Sequence, residues 1–235
     1  MAGPASAPAA SPGEGMFLQI ADLLNAAEVG TLRKLALQAR FVDGRTSNPH
    51  NTTKINVIAD MGDPAAQQAG QIAFTALQRS EQVMNFAQPS RIAPPQLCRY
   101  GVGMTYGAHT DAAFLAVGQQ ALRSDVSCTL FLSEPASYQG GELTIYIGSE
   151  SVRVKGEPGS AVLYPSTTLH EVAPVSSGER LVMITFIQSR VPDQMHRDLI
   201  YKLGEVRALE GLKMDWANRM QLEHVIANLQ RMWSG

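Results

Sequence analysis

The stretch Leu143–Gln188, LTIYIGSESVRVKGEPGSAVLYPSTTLHEVAPVSSGERLVMITFIQ, holds five short runs rich in apolar and β-branched residues. They are Leu143–Ile147, Ser151–Lys155, Ala161–Tyr164, Glu171–Val175 and Leu181–Gln188, cut by turn-formers at Gly148, Glu157-Pro158-Gly159 and Ser176-Ser177-Gly178. Runs of this kind at roughly 8–12-residue spacing specify a sandwich or barrel, not alternating βα units. Two more runs precede them, Gln96–Tyr100 and Val126–Leu132, with Gly140-Gly141 as a further turn.

Outward from this β region the period changes to helical. From Met16 to Arg40, residues Leu23, Leu24, Ala27, Leu32, Leu35, Ala36 and Ala39 fall at helical spacing, and a second helix is predicted over Pro64–Arg79. Between them residues 44–53 are polar and turn-forming and read as a mobile loop. Pro89, Pro94 and Pro95 mark the change of regime. After Gln194 the helical period returns through Leu199, Ile200, Leu203 and Val206, then Leu222, Val225, Ile226 and Leu229, with a break at Gly211. The expected architecture is mainly β with flanking helices, a jelly roll with a helical buttress. Its expected parts are a disordered tail over 1–15, N-terminal helices and a substrate-side loop over 16–95, a β core over 96–190 and C-terminal helices over 191–235. Residues 16–235 form one structural domain in this reading.

Composition limits the function classes. The chain has 235 residues, 45% of them hydrophobic, enough for one sizeable core. Nineteen basic and 21 acidic residues leave a charge of -2, so no cationic field invites nucleic acid or an anionic membrane. No apolar run approaches the ~20 residues of a membrane span. The first basic residue is Arg33, which argues against a signal peptide. Two cysteines without CxxC spacing, Cys98 and Cys128, fit a reducing compartment. The cytoplasm is the expected location.

Of five histidines, His109 and His170 sit in distinctive settings. His109 lies in Arg99-Tyr-Gly-Val-Gly-Met-Thr-Tyr-Gly-Ala-His-Thr-Asp111, where an extended backbone would put His109 and Asp111 on one face. His170 follows the run Ala161–Tyr164, and Arg180 comes ten residues later. Two imidazoles and a carboxylate on one side of a metal leave positions open, the facial triad of non-haem Fe(II) oxygenases. A buried arginine beyond it could pair with a carboxylate of a co-substrate. His50 reads as a loop residue, and His196 and His224 as solvated. Trp216, Met220, Leu229 and Trp233 read as packing or homodimer contacts.

From about Leu97 to Val206 the chain resembles the Fe(II)/2-oxoglutarate-dependent dioxygenases of the prolyl 4-hydroxylase type, and among them the bacterial PKHD-type hydroxylases. The matching segments are Arg-Tyr-Gly-x-Gly-Met-x-Tyr-x-x-His-x-Asp (99–111), Arg123–Ser133, Tyr138–Leu143, Gly159–Ser166, Leu169-His170 and Gly178-Glu-Arg180. The resemblance implies a double-stranded β-helix with Fe(II) held by His109, Asp111 and His170. It implies 2-oxoglutarate as co-substrate, its 5-carboxylate on Arg180 with Tyr100 as a hydroxyl donor. One oxygen atom of O2 would enter succinate as CO2 leaves, and the other a C–H bond of a small molecule or peptide or protein residue. L-Ascorbate is the implied reductant. A tyrosine that other members place beside the arginine maps to Phe131, with Ser127 or Thr129 as substitutes, and Tyr106 is a core aromatic or lines the substrate entrance. Asp111 separates the chain from halogenating relatives, which have a small residue there. Two other classes remain open at this point: a Zn or Mn hydrolase or isomerase on the same jelly roll, and a non-enzymatic jelly-roll binding module.

Overall fold

A computed structural model describes residues 17–48 and 51–235; the expected tail over 1–15 and the loop residue His50 lie outside them. Two antiparallel sheets form the centre. The larger runs, in spatial order, Leu18–Ile20, Ala161–Pro165, Val126–Phe131, Arg180–Ser189, Gln96–Tyr100, Val57–Ala59 and Phe41–Asp43, with Pro89–Ile92 beside Arg180–Ser189. The smaller runs Glu150–Val154, Leu143–Ile147, His170–Val172, Thr105–His109 and Lys54–Ile55.

Alternation along the strands divides the interior in two. In Val126–Phe131 every residue is buried, because both faces of the larger sheet are covered. Val126, Cys128 and Leu130 join Leu97, Leu163 and Met183 under the helices α1 (Ala26–Gln38), α2 (Pro64–Arg79) and α3 (Glu81–Ala87). On the other face Phe131, Cys98, Tyr100, Val162, Tyr164 and Val182 meet Leu143, Ile145, Val154 and Val172 of the smaller sheet. This inter-sheet space is the inside of the jelly roll. Arg180 shares the face of Val182, so the period of two turns its guanidinium inward.

Most predicted elements stand where the sequence put them, including Gln96–Tyr100, Leu143–Ile147 and α2. Helical periodicity overreached at the start: Leu18–Ile20 is a strand paired antiparallel with Ala161–Pro165, and α1 begins only after Asn25. The reason is a capping box, in which the Asn25 side chain accepts from Glu28 N and Glu28 accepts from Asn25 N. The predicted strand Glu171–Val175 is broken into His170–Val172 and Val175–Ser177, since Pro174 has no N–H for a ladder. Residues 44–53 are not uniformly loop, as Gly44–Ser47 is a turn of 3-10 helix. Several elements escaped the sequence reading, among them the short strands Phe41–Asp43, Lys54–Ile55, Val57–Ala59 and Pro89–Ile92. Helix α3 has only seven residues, too few to show a period, and the hairpin Phe114–Val117/Gln120–Arg123 turns at Gly118.

The C-terminal helices α4 (Gln194–Glu210) and α5 (Trp216–Trp233) part at Gly211 as expected. Arg197 on α4 is buried and donates to the carbonyls of Val191 and Pro192, at 2.8 and 2.7 Å, and at 3.4 Å to that of Asp125 beside Val126–Phe131, tying α4 to the β core. His196 is not simply solvated; it stacks on Trp233 with centroids 4.0 Å apart. Among the described residues, no helix is long and apolar enough to cross a membrane.

Candidate active site

The antiparallel pair His170–Val172 and Thr105–His109 carries both histidines, with His170 directly opposite His109. The next pairing is Val172 with Tyr106, so three steps on one strand match two on the other. That bulge returns Tyr106 to the face of His109 despite their odd separation. Their rings stack at 3.6 Å between centroids, 17° from parallel. The His109 and His170 centroids lie 4.3 Å apart.

Asp111 is not in a strand, contrary to the extended reading. It lies just beyond His109, its N–H donating to the Ser166 carbonyl at 3.2 Å. The Ser127 hydroxyl donates to Asp111 Oδ2 at 2.5 Å and lies 2.7 Å from Ser166 Oγ. The larger sheet thus holds the carboxylate, and the smaller sheet holds the imidazoles. One oxygen or nitrogen from each of His109, Asp111 and His170 falls within 4.8 Å of the others, close enough to bound one cation.

Backbone carbonyls set the histidine tautomers. His109 Nδ1 is 2.8 Å from Gly107 O, and His170 Nδ1 is 2.9 Å from Thr168 O. A carbonyl only accepts, so each Nδ1 carries the proton and each Nε2 presents a lone pair toward Asp111. These nitrogens lie 3.9 and 3.7 Å from the carboxylate oxygens. Burial, then the neighbouring His170 ring, pull the His109 pKa down to about 4, so it is neutral at pH 7, as a metal ligand must be. Two neutral imidazoles and a carboxylate suit Fe(II), and three ligands leave coordination positions for small molecules.

A cavity opens on this cluster and reaches Tyr100, Thr129, Tyr164 and Arg180. Arg180 is 2% exposed, and its Nε has no hydrogen-bond partner. Its guanidinium carbon stands 5.0 Å from the Tyr100 centroid and 5.9 Å from that of Phe131. Among the described residues no carboxylate lies within 4.0 Å of it. A buried cation left like this is costly unless an anion is supplied. The cavity therefore fits a ligand with a carboxylate at the end remote from the metal ligands.

Tyr100 stands opposite Arg180 in the strand register, buried on the face of the inter-sheet cavity. Burial raises its pKa, which keeps it a phenol able to donate. Of the two substitutes for the missing tyrosine, Ser127 is committed to Asp111 and lies too near the metal ligands. Thr129 faces the cavity together with Tyr164. Tyr164 also packs edge-on to His170 at 5.0 Å. The sequence reading missed Tyr164, Ser166 and Ser127 as site residues in these roles; only their alternation on paired strands could have signalled them.

A family model described as the 2OG-Fe(II) oxygenase superfamily matches residues 95–188. A PKHD-type hydroxylase of Sphingopyxis alaskensis is 48% identical over 218 residues, covering 92% of this chain and 99% of that protein. The chain belongs to the PKHD-type hydroxylases. A second, from Stenotrophomonas maltophilia, is 39% identical to this hydroxylase over 224 residues, 93% and 99% of the two chains. Among solved structures, a Pseudomonas putida prolyl-4-hydroxylase matches with TM-score 0.53 at 21% identity, over 74% of this chain and 93% of that one. HygX from Streptomyces hygroscopicus, solved with nickel, 2-oxoglutarate and hygromycin B, matches with TM-score 0.53 at 15% identity, over 74% and 83%. These likenesses establish the jelly-roll core of the hydroxylase, which is a 2-oxoglutarate- and Fe(II)-dependent oxygenase by family.

Proposed function

We propose that this hydroxylase holds Fe(II) on His109 Nε2, Asp111 and His170 Nε2, and binds 2-oxoglutarate with its 5-carboxylate on Arg180. The observation that carries the assignment is the Arg180 guanidinium, buried without an acidic partner in the same cavity as the three candidate ligands. Bound together, Fe(II) and 2-oxoglutarate supply the activation of O2 that oxidises a C–H bond and releases succinate and CO2.

The remaining work falls to the protein. Gly107 O and Thr168 O orient the imidazoles, and Ser127 holds one carboxylate oxygen of Asp111. Tyr100 and Tyr138 flank the guanidinium, where the Tyr100 hydroxyl adds a second donor for the co-substrate. Phe131 gives that end of the cavity an apolar wall 5.9 Å from the guanidinium, which strengthens the charge pairing inside it. The substrate is a small molecule or a residue of a peptide or protein. L-Ascorbate serves as the external reductant in this reading, and the cytoplasm as the compartment, which suits two buried free cysteines. Exposed Leu209, Leu212, Trp216 and Met232 on and between α4 and α5 support a homodimer through that face.

A zinc or manganese hydrolase would have no use for Arg180, and a structural metal is normally closed by four protein ligands, whereas three are gathered among the described residues. Anaerobic addition of Fe(II) and 2-oxoglutarate tests the reading. A weak visible charge-transfer band that needs both additions is expected, and its absence removes the assignment.

A further inference from the structure

A row of side chains crosses the smaller sheet in the order His170, His109, Tyr106, Lys54. Its spacings are 4.3 and 3.6 Å between ring centroids, then 5.1 Å from the Tyr106 centroid to Lys54 Nζ. Lys54 pairs with Tyr106 on the edge strand Lys54–Ile55. The side chain is 5% exposed, and its ammonium donates to the Ser47 hydroxyl at 2.5 Å. Among the described residues no carboxylate lies within 4.0 Å of it. The acids nearby are occupied: Asp43 by Arg45 at 2.6 Å, and Asp111 by Ser127 at 2.5 Å. Cys98 is neutral, its thiol pushed up to about 11 by burial.

Charge balance then singles Lys54 out. On the reading above, a divalent cation, Asp111, the 2-oxoglutarate dianion and Arg180 cancel. Lys54 is left with one positive charge, one aromatic ring away from a candidate metal ligand. A lysine kept there only to brace Ser47 could be replaced by an uncharged donor at lower desolvation cost. Beside it, the Tyr106 hydroxyl accepts from Asn48 Nδ2 at 3.1 Å, which leaves its O–H free to donate.

We propose that Lys54 and the Tyr106 hydroxyl form a substrate-carboxylate site, so that the hydroxylase acts on a small monoanionic carboxylic acid. The inference rests on the Fe(II)/2-oxoglutarate reading of the neighbouring triad. The Tyr106 ring sets the spacing between the anchored carboxylate and the metal ligands, so the oxidised carbon lies several bonds from the carboxylate.

Matched probes test it: N-acetyl-L-amino acids with uncharged side chains, each a monoanion, and the corresponding carboxamides. Zinc-loaded, 2-oxoglutarate-bound protein is titrated with each pair by calorimetry, and the Fe(II) enzyme is assayed for succinate release with the same pairs. At least one free acid should bind and stimulate succinate release with half-saturation at least ten-fold below that of its amide. Lys54→Met, or Lys54→Gln if the first does not fold, should erase that discrimination, while Lys54→Arg should retain it. Equal response to acid and amide, no response to any acid, or discrimination surviving in a folded Lys54→Met protein each overturns the proposal. Wild-type protein that consumes no 2-oxoglutarate at all sinks the oxygenase reading and this site with it; consumption without acid–amide discrimination sinks only the Lys54 site.

Discussion

On the proposed assignment Asp111 and Arg180 do different work, and single substitutions should separate them. Asp111→Ala removes the one anionic ligand of the triad and should abolish 2-oxoglutarate turnover, measured as succinate release. Arg180→Met takes away the co-substrate's counter-charge without leaving a buried cation. It should raise the 2-oxoglutarate KM by roughly 10–100-fold, since charged hydrogen bonds contribute ~1.5–3 kcal/mol each and do not simply add. Ser127→Ala should act through Asp111 by freeing Oδ2. Loss of such an orienting partner typically costs ~10–100-fold in metal affinity, which chelator competition measures without turnover. His109 adds a pH signature. Its folded pKa, about 4, lies below the ordinary 6.5, so its contribution to stability is full above pH 6.5 and is lost as pH falls toward 4. Thermal melts of metal-free protein should show a midpoint falling across that window, with a shallower fall in His109→Gln.

The elements that position these residues depend on local devices. Helix α1 starts where Asn25 and Glu28 cap one another, and Glu28 also pairs with Arg79 of α2. Asn25→Ala should cost about 0.5–2 kcal/mol, seen as a lower denaturation midpoint with an unchanged 2-oxoglutarate KM. Strands as regular as Leu143–Ile147 are local in sequence and were legible there; the cap at Asn25 is equally local, but the apolar period on both sides of it hid the true start of α1. The bulge between Tyr106 and His109 was not legible, because an irregularity in strand pairing has no signature in either strand alone. The break at Pro174 could have been read from its missing N–H, but apolar neighbours on both sides masked it.

Across the whole molecule the larger sheet separates two interiors, one packed by helices and one holding the site. Leu32, fully buried among α1, α2 and that sheet, belongs to the first. Leu32→Ala should therefore cost about 2–5 kcal/mol in chemical denaturation while leaving the metal affinity of the folded protein close to wild type. The smaller sheet has no helical layer of its own in either core cluster. Its strands carry both histidines and Lys54, so the ligand-binding face is built on the less buttressed half.

The sequence by itself determined the class of fold, the order of its longer elements, the family, and His109, Asp111, His170 and Arg180 as candidates that the structure gathers on one cavity. These are carried by periodicity, turn residues and motif spacing, all of which are local or ordered along one chain. Only the tertiary structure decided that Asp111 hangs from the larger sheet through Ser127 and Ser166, that Tyr106 stacks on His109, and that Lys54 stays buried without a carboxylate. Each of these depends on which strands pair and in what register. Pairing is settled by the joint burial of residues far apart in the chain, which no single run of sequence encodes.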